Sequence, residues 1–187
     1  MEKAKEEARR YGSSKEKLAI SENNIHQLQY LKMVVKETIR MHPPLPLLLP
    51  RETISEFNLC GHKVSPKTMI QINVSAIGRD PNYWDNPEEF FPERFADSSI
   101  DYKGLHFELL PFGSGRRSCP GIHMGISTVE LALANLLCCF DWKLPDRMKE
   151  TDINMEEGPD LAVHKKFALE LVPISYQEWA KYQNSWT

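Results

Sequence analysis

The sequence predicts a mainly α-helical fold with small β-sheets, of the α+β class. Three observations indicate this class: an apolar stripe with helical spacing before residue 42, a strand-like alternation over 68–74, and a second apolar helical pattern over 121–140. The 187 residues suffice for a sizeable core, so we expect one domain over 1–187. A net charge of −3 argues against nucleic-acid binding, which favours a strongly basic face.

The N-terminal part of the sequence predicts two helices. Residues Glu2 to Arg10 are good helix formers, and the Gly12-Ser13-Ser14 segment breaks that helix. A second helix is expected to start near the cap residues at 21–24 and to end at His42, because Pro43 follows. Its apolar stripe consists of Ile25, Leu28, Leu31, Val35 and Ile39.

The middle of the chain changes character. Residues 68–74 alternate between apolar and polar side chains, which is the period of a half-buried strand, and Gly61 and Pro66 delimit shorter strands before it. Residues 80–112 lack periodicity and are rich in proline, and such a long irregular segment is usually functional. We expect the tail, 162–172, to form a final hairpin with the loop before it.

The last helix is predicted over Gly121 to Phe140. Its apolar positions are Ile122, Ile126, Val129, Leu133, Leu136 and Leu137. The adjacent Cys138 and Cys139 lie within this pattern and are expected to be buried and reduced. The longest apolar run, Leu131 to Phe140, is about half of a bilayer span, and no cleavable targeting segment precedes it. The chain alone is therefore expected to be soluble.

The segment Pro111 to Gly121 concentrates the chemistry. Gly113 and Gly115 permit turns with positive φ and let the backbone approach a flat ligand closely. Cys119 stands at the start of an apolar helix, where the helix N-terminus and nearby arginines favour a thiolate. Arg117 can pair with a carboxylate on a ligand. This combination suits a haem that is held through its iron by cysteine.

Three other interpretations apply to this segment. A lone cysteine at a helix start is usually structural. The glycines are also typical of phosphate-binding loops, but no Gly-Lys-Ser/Thr follows them. A thiol nucleophile needs a histidine base such as His123, but no recognisable local signature supports that pair.

The segment resembles the haem-binding loop of the cytochromes P-450, Phe-x-x-Gly-x-Arg-x-Cys-x-Gly. Its defined places are filled by Phe112, Gly115, Arg117, Cys119 and Gly121. The resemblance implies that Cys119 is the proximal ligand of the haem iron and that Arg117 contacts a haem propionate. It also implies that Phe112 packs beside the sulfur and that the loop glycines, including Gly113, lie against the cofactor.

Further motifs resemble this family in the same order along the chain. Glu37 and Arg40 match the Glu-x-x-Arg of its K helix, and Arg94 lies in a segment resembling the meander before the haem loop. The resemblance implies that these three residues form a buried ion-pair cluster. It also implies that Arg51 reaches a haem propionate, and that leucines 47–49 and the turn at 161–162 border the substrate cavity.

The resemblance, closest to plant microsomal members, implies a monooxygenase that inserts one oxygen atom of O2 into a small apolar molecule. It implies haem b, electrons from NADPH through NADPH–cytochrome P-450 reductase, and the cytosolic face of the endoplasmic reticulum. Complete members are over twice this length and carry a membrane anchor and an Ala-Gly-x-Asp/Glu-Thr helix. Neither is found in 1–187, so a partial, C-terminal domain is expected.

Two alternatives to a monooxygenase remain open. One is a family member that rearranges hydroperoxides, although the regular loop spacing before Cys119 argues against it. The other is a truncated, non-catalytic remnant that binds haem.

Overall fold

Five α-helices and eight short β-strands are found in the computed structural model, which describes residues 1–12, 19–158 and 160–176. The predicted α+β class is therefore confirmed. The helices are α1 (Glu2–Gly12), α2 (Glu22–Ile25), α3 (Gln29–Met41), α4 (Val74–Ile77) and α5 (Ile122–Cys139), with 3-10 turns at Pro92–Phe95, Gly115–Arg117 and Glu150–Asp152. The strands are β1 (Arg51–Glu52), β2 (Phe57–Leu59), β3 (His62–Val64), β4 (Met69–Ile70), β5 (Phe140–Lys143), β6 (Glu157–Gly158), β7 (His164–Lys165) and β8 (Val172–Ser175).

The strands form antiparallel pairs. Among the described residues, β1 pairs with β4, β2 with β3, β5 with β8, and β6 with β7. The register places Arg51 opposite Ile70 in the first pair and Gly158 opposite His164 in the last. The β6–β7 pair is the predicted final hairpin, and β8 returns to the strand that follows α5.

The main core forms where α1, α2 and α3 pack against the C-terminal half of α5. Its buried members include Ala4, Ala8, Leu28, Leu31, Ala134, Leu137, Cys138 and Cys139. Ala4 and Ala8 lie one turn apart, so α1 presents a face of small side chains on which α5 packs closely. Cys138 and Cys139 are buried thiols, as predicted.

The second predicted helix is interrupted, and its second part, α3, is capped from a different helix. The backbone N–H groups of Tyr30 and Leu31 each donate to the carboxylate of Glu7 at 2.9 Å. A helix does start in the predicted cap region, since Ser21 is the N-cap of α2, but α2 ends at Ile25. The carboxylate of Glu7 then caps the first turn of α3, which begins at Gln29. The predicted end before Pro43 is confirmed, since α3 ends at Met41.

The predicted strand over 68–74 is mostly wrong. Only Met69 and Ile70 pair, with β1. The side chain of Asn73 accepts a hydrogen bond from the N–H of Ala76 at 2.9 Å and thereby caps α4. The chain therefore turns into a helix at Val74.

The apolar pattern of α5 is only partly buried. Ile126 and Leu137 are buried, whereas Val129 and Leu136 are exposed. By length and composition alone, with a mean hydropathy of 1.5, α5 could cross a membrane. Core helices of soluble proteins satisfy the same criterion, and the C-terminal half of α5 packs against α1.

Candidate functional site

A loop of residues 112–121, the cysteine loop, holds the candidate ligand. The N–H of Cys119 donates to the carbonyl oxygen of Phe112 at 2.9 Å, which closes the loop. Inside it, the N–H of Ser118 donates to the carbonyl of Gly115 at 3.1 Å. Two backbone hydrogen bonds therefore fix the path of the chain up to the cysteine.

Glycine is needed at two places in this loop. Gly113 and Gly115 both have φ of +71°, in the left-handed region that L side chains rarely adopt. A Cβ on Gly115 would meet no atom within 4 Å, so its outer side is open. Residues of other types would strain the loop by about 1–2 kcal/mol at each place.

Cys119 is exposed, and its sulfur makes no hydrogen bond to the residues that the structure describes. Helix α5 begins three residues later, at Ile122, with Gly121 as its N-cap. A Cβ on Gly121 would lie 3.9 Å from the sulfur, so glycine leaves that approach open. A flat ligand can therefore reach the thiol from outside the loop.

Arg51 and Arg117, the predicted propionate contacts, lie together at the cysteine loop. Nη2 of Arg51 donates to the carbonyl oxygen of Arg117 at 3.1 Å. The exposed guanidinium of Arg117 makes no hydrogen bond or ion pair with any described residue. Two cations, one from β1 and one from the loop, thus stand near the cysteine.

Phe112 lies against an aromatic side chain that the sequence did not single out. The rings of Tyr102 and Phe112 meet edge to face, with centroids 5.9 Å apart. Burial, with nearby negative charge on Glu130 and Asp101, raises the pKa of Tyr102 to about 12. Tyr102 is ten residues before Phe112 in an aperiodic segment, so no sequence pattern indicated the contact.

Tyr102 also lines a cavity of about 250 Å³. Lys32 and Lys36 from α3 and His123 and Glu130 from α5 contribute to its walls. Glu130 is only 6% exposed. Burial raises the pKa of its carboxyl group, and the nearby charge of Lys32 offsets only part of that effect.

Glu37, Arg40 and Arg94 form one ion-pair cluster between α3 and the irregular segment. The carboxylate of Glu37 accepts from Nε of Arg40 at 2.8 Å, from Nη2 of Arg40 at 2.9 Å and from Nε of Arg94 at 3.0 Å. Glu37 and Arg40 are 0% and 1% exposed. Burial raises the pKa of Glu37, but the hydrogen bonds from Arg40, Phe91 and Arg94 outweigh it, so the pKa is lowered.

The remaining guanidinium hydrogens of this cluster hold the irregular segment in place. Arg40 donates to the carbonyl oxygens of Gly78, Pro87 and Glu89, and Arg94 to those of Asp85, Asn86 and Glu89. Trp84 is buried beside both guanidiniums, 5.3 Å from Arg40 and 6.0 Å from Arg94. The segment has almost no regular secondary structure. These charge-assisted hydrogen bonds satisfy its backbone carbonyls instead.

The chain matches a known family over most of its length. The family model described as Cytochrome P450 matches residues 1–169. The chain is 59% identical over 161 residues to cytochrome P450 71B20 of Arabidopsis thaliana, covering 86% of this chain and 32% of that protein. It is 54% identical over 178 residues to cytochrome P450 71B22 of the same plant, covering 95% of this chain and 35% of that protein. The chain spans about a third of the length of these relatives, and it belongs to the cytochrome P450 family.

Proposed function

We propose that this chain provides the haem-binding part of a monooxygenase. The reaction would insert one oxygen atom of O2 into a small apolar molecule, with electrons from NADPH through NADPH–cytochrome P450 reductase. The observation that carries the proposal is the exposed thiol of Cys119, in a closed loop, with Arg51 and Arg117 beside it. Family membership supports haem as the cofactor.

The residues of the site fit a haem in their chemistry. A thiolate is a known axial ligand of haem iron. Arginine pairs well with carboxylates such as the two propionates, and Arg117 has its guanidinium free of described partners. The open sides of Gly115 and Gly121 leave room for a flat macrocycle next to the sulfur.

Each residue would have a distinct task. The bound haem supplies the redox chemistry with O2. Cys119 would hold the iron and donate electron density to it. Arg51 and Arg117 would bind the propionates and so fix the orientation of the macrocycle.

The ion-pair cluster would hold the protein around this site in position. Arg40 and Arg94 tie the segment before the cysteine loop to α3, through backbone carbonyls over 78–89. The same irregular segment continues to Phe112, where the cysteine loop begins, 23 residues after Glu89. We propose a positioning role for Glu37, with no contact to the substrate.

Two other activities are distinguished by experiment. The spacing between Phe112 and Cys119 contains no insertion, which argues against a hydroperoxide-rearranging member. A haem-binding remnant without turnover would bind haem in the same way.

Similarity to plant members supports a location at the endoplasmic-reticulum membrane, with the chain on its cytosolic face.

A chimera tests the proposal. Residues 1–169 replace the matching region of cytochrome P450 71B20, and the product is assayed with NADPH, reductase and ¹⁸O2. We expect ¹⁸O in the product of the relative's substrate, and none with Cys119→Ser in the same chimera. Haem binding without ¹⁸O incorporation identifies a non-catalytic haem-binding segment. Product formation from a hydroperoxide, without NADPH, indicates the rearranging activity.

A further inference from the structure

The cavity of about 250 Å³ is lined by two helices and one loop. Helix α3 contributes Lys32 and Lys36, which stand four residues apart on one face. Helix α5 contributes Ser127 and Glu130, which are three residues apart and also share a face, and the loop 101–103 supplies further walls. Sites for drug-sized ligands have about 300–1,000 Å³, so this cavity suits a smaller ligand.

Three side chains of this cavity lack a hydrogen-bond partner among the described residues. The carboxyl group of Glu130, only 6% exposed, makes no hydrogen bond or ion pair with any residue that the structure describes. The same is true, within the described part of the chain, of the hydroxyl groups of Tyr102 and Ser127. A buried polar group without a hydrogen bond is destabilising, so Glu130 requires a partner that the described residues do not supply.

Two of these groups are O–H donors in their protonated forms. Burial raises the pKa of Glu130, and the charge of Lys32 offsets only part of that effect. Burial raises the pKa of Tyr102 to about 12, so its hydroxyl keeps its proton. A protonated carboxyl group donates one hydrogen bond, whereas a carboxylate only accepts. The cavity can therefore offer O–H donors from both α5 and the loop.

The walls carry more positive than negative charge. Lys32, Lys36 and Lys103 each bring an ammonium group, whereas the Asp101 carboxylate lies 3.4 Å from Nζ of Lys103, which offsets it. Nζ of Lys36 donates to the carbonyl oxygen of Ile100 at 2.9 Å. An ammonium group has three donors, so Lys36 retains hydrogens for a ligand. These charges repel a cation and attract an anion.

We propose that this cavity binds a small tetrahedral oxyanion, a sulfate or phosphate group. Its four oxygens would accept hydrogen bonds from the ammonium groups of Lys32 and Lys36 and from the O–H groups of Tyr102, Ser127 and Glu130. A tetrahedral ion suits donors that converge from two helices and a loop, because its oxygens point in four directions. None of these residues is assigned to haem, so the inference does not depend on the proposed function.

Calorimetric titration with sodium sulfate tests the site in the 187-residue chain without haem. Sodium chloride keeps the ionic strength constant, so the screening of surface charge does not change. Wild type should bind sulfate saturably. Lys32→Gln and Lys36→Gln should each weaken binding about tenfold, as for the loss of a hydrogen bond to a charged group.

The matched control is Lys67→Gln, which removes an exposed lysine outside the cavity and should leave binding unchanged. Circular dichroism checks that each variant is folded, and Lys32→Gln decides if Lys36→Gln is not. Wild type that shows no saturable binding has a cavity filled by water alone, which overturns the inference. Equal losses in Lys32→Gln and Lys67→Gln overturn it as well.

Glu130 predicts the sign of a pH dependence. The neutral carboxyl group donates to the anion and the carboxylate repels it, so sulfate affinity should fall as the pH rises, by up to about tenfold per pH unit. Glu130→Gln is neutral at every pH and still a donor, so its affinity should fall less. Histidine also titrates near neutral pH, so the comparison is repeated in His123→Gln, where the difference should persist. Equal pH dependence with Glu130 and with Gln at this position overturns the inference.

Competition distinguishes a free ion from a phosphorylated small molecule. Inorganic phosphate should displace sulfate from wild type, and glycerol 3-phosphate is titrated in the same way. Displacement by both identifies a site that accepts a phosphate monoester, and displacement by inorganic phosphate alone identifies a site for the free ion. Failure of inorganic phosphate to displace sulfate overturns the inference.

Discussion

Arg51 and Arg117 meet through a single hydrogen bond, from Nη2 of the first to the carbonyl oxygen of the second at 3.1 Å. They are 66 residues apart in sequence, and their contact ties β1 to the cysteine loop. The contact uses a backbone oxygen, so the Arg117 guanidinium stays available for an external anion. The arrangement explains why a strand and a loop both supply cations at one place.

Removal of either cation should weaken haem binding. Arg117→Gln should lower haem affinity by about 1.5–3 kcal/mol, the range for a hydrogen bond to a charged group, and Arg51→Gln should act in the same direction. Haem titration followed by Soret absorbance measures the change. Arg116→Gln is the matched control, since Arg116 is exposed in the same loop and is not expected to contact a propionate. Equal losses in Arg116→Gln and Arg117→Gln would contradict the assignment.

Loss of the buried carboxylate should be costly. Glu37→Gln leaves Arg40 and Arg94 without a counter-charge, so the free energy of unfolding should fall by about 3–5 kcal/mol. Urea denaturation followed by circular dichroism measures it. Glu56→Gln, which removes an exposed partner of Lys63, should cost at most about 1 kcal/mol.

The same carboxylate predicts an acid sensitivity. Because the folded pKa of Glu37 is lowered, its contribution is present above the unfolded pKa of about 4.3. That contribution is lost as the pH falls through the folded value. The stability difference between wild type and Glu37→Gln should therefore shrink in acid. A difference that is constant between neutral and acidic pH would count against a charged Glu37 in the folded protein.

Glu130 should show the opposite pH dependence. Its folded pKa is raised by burial, so its contribution is present below the unfolded pKa and lost as the pH rises through the folded value. The free energy of unfolding of Glu130→Gln should therefore rise relative to that of wild type as the pH rises from about 4 to neutral. Denaturation at several pH values tests this, with the exposed Glu22→Gln as the control. A stability difference between wild type and Glu130→Gln that does not change with pH would contradict this prediction.

Two glycines should respond oppositely to the same substitution. A Cβ on Gly78 would lie 2.5 Å from the carbonyl oxygen of Arg40, so Gly78→Ala should destabilise by about 1–3 kcal/mol. Gly125 is within α5 with no atom within 4 Å of its Cβ position, so Gly125→Ala should stabilise by about 0.5–1 kcal/mol. Thermal melts compare them. Stabilisation by Gly78→Ala would contradict the close contact at Arg40, and destabilisation by Gly125→Ala would contradict the open space at Gly125.

Local signals in the sequence predicted the elements with strong periodicity. The end of α3 before Pro43 and the span of α5 follow from proline chemistry and apolar spacing. The start of α3 could not be predicted in this way, because its cap is the Glu7 carboxylate of another helix. The prediction of a strand over 68–74 is mostly wrong because Asn73 caps a helix. Asn73 fits the apolar and polar alternation of a strand equally well, so the sequence did not distinguish the two roles.

The candidate site followed from a motif rather than from periodicity. The loop around Cys119 was predicted as a unit, since its spacing alone carries the resemblance. Tyr102 and Glu130 were missed because a tertiary contact and a cavity leave no local trace. The members of the ion-pair cluster could be named from motifs in the sequence. Their bonds to backbone carbonyls of the irregular segment are tertiary contacts, which leave no pattern in the sequence.

The most direct test of Cys119 as the iron ligand is an absorption spectrum. The chain is reconstituted with haem, reduced and exposed to carbon monoxide. Wild type and Cys60→Ser, which removes another exposed cysteine, should show the strongly red-shifted Soret band of a thiolate ligand. Cys119→Ser should lack this band. Identical spectra for wild type and Cys119→Ser would contradict the account.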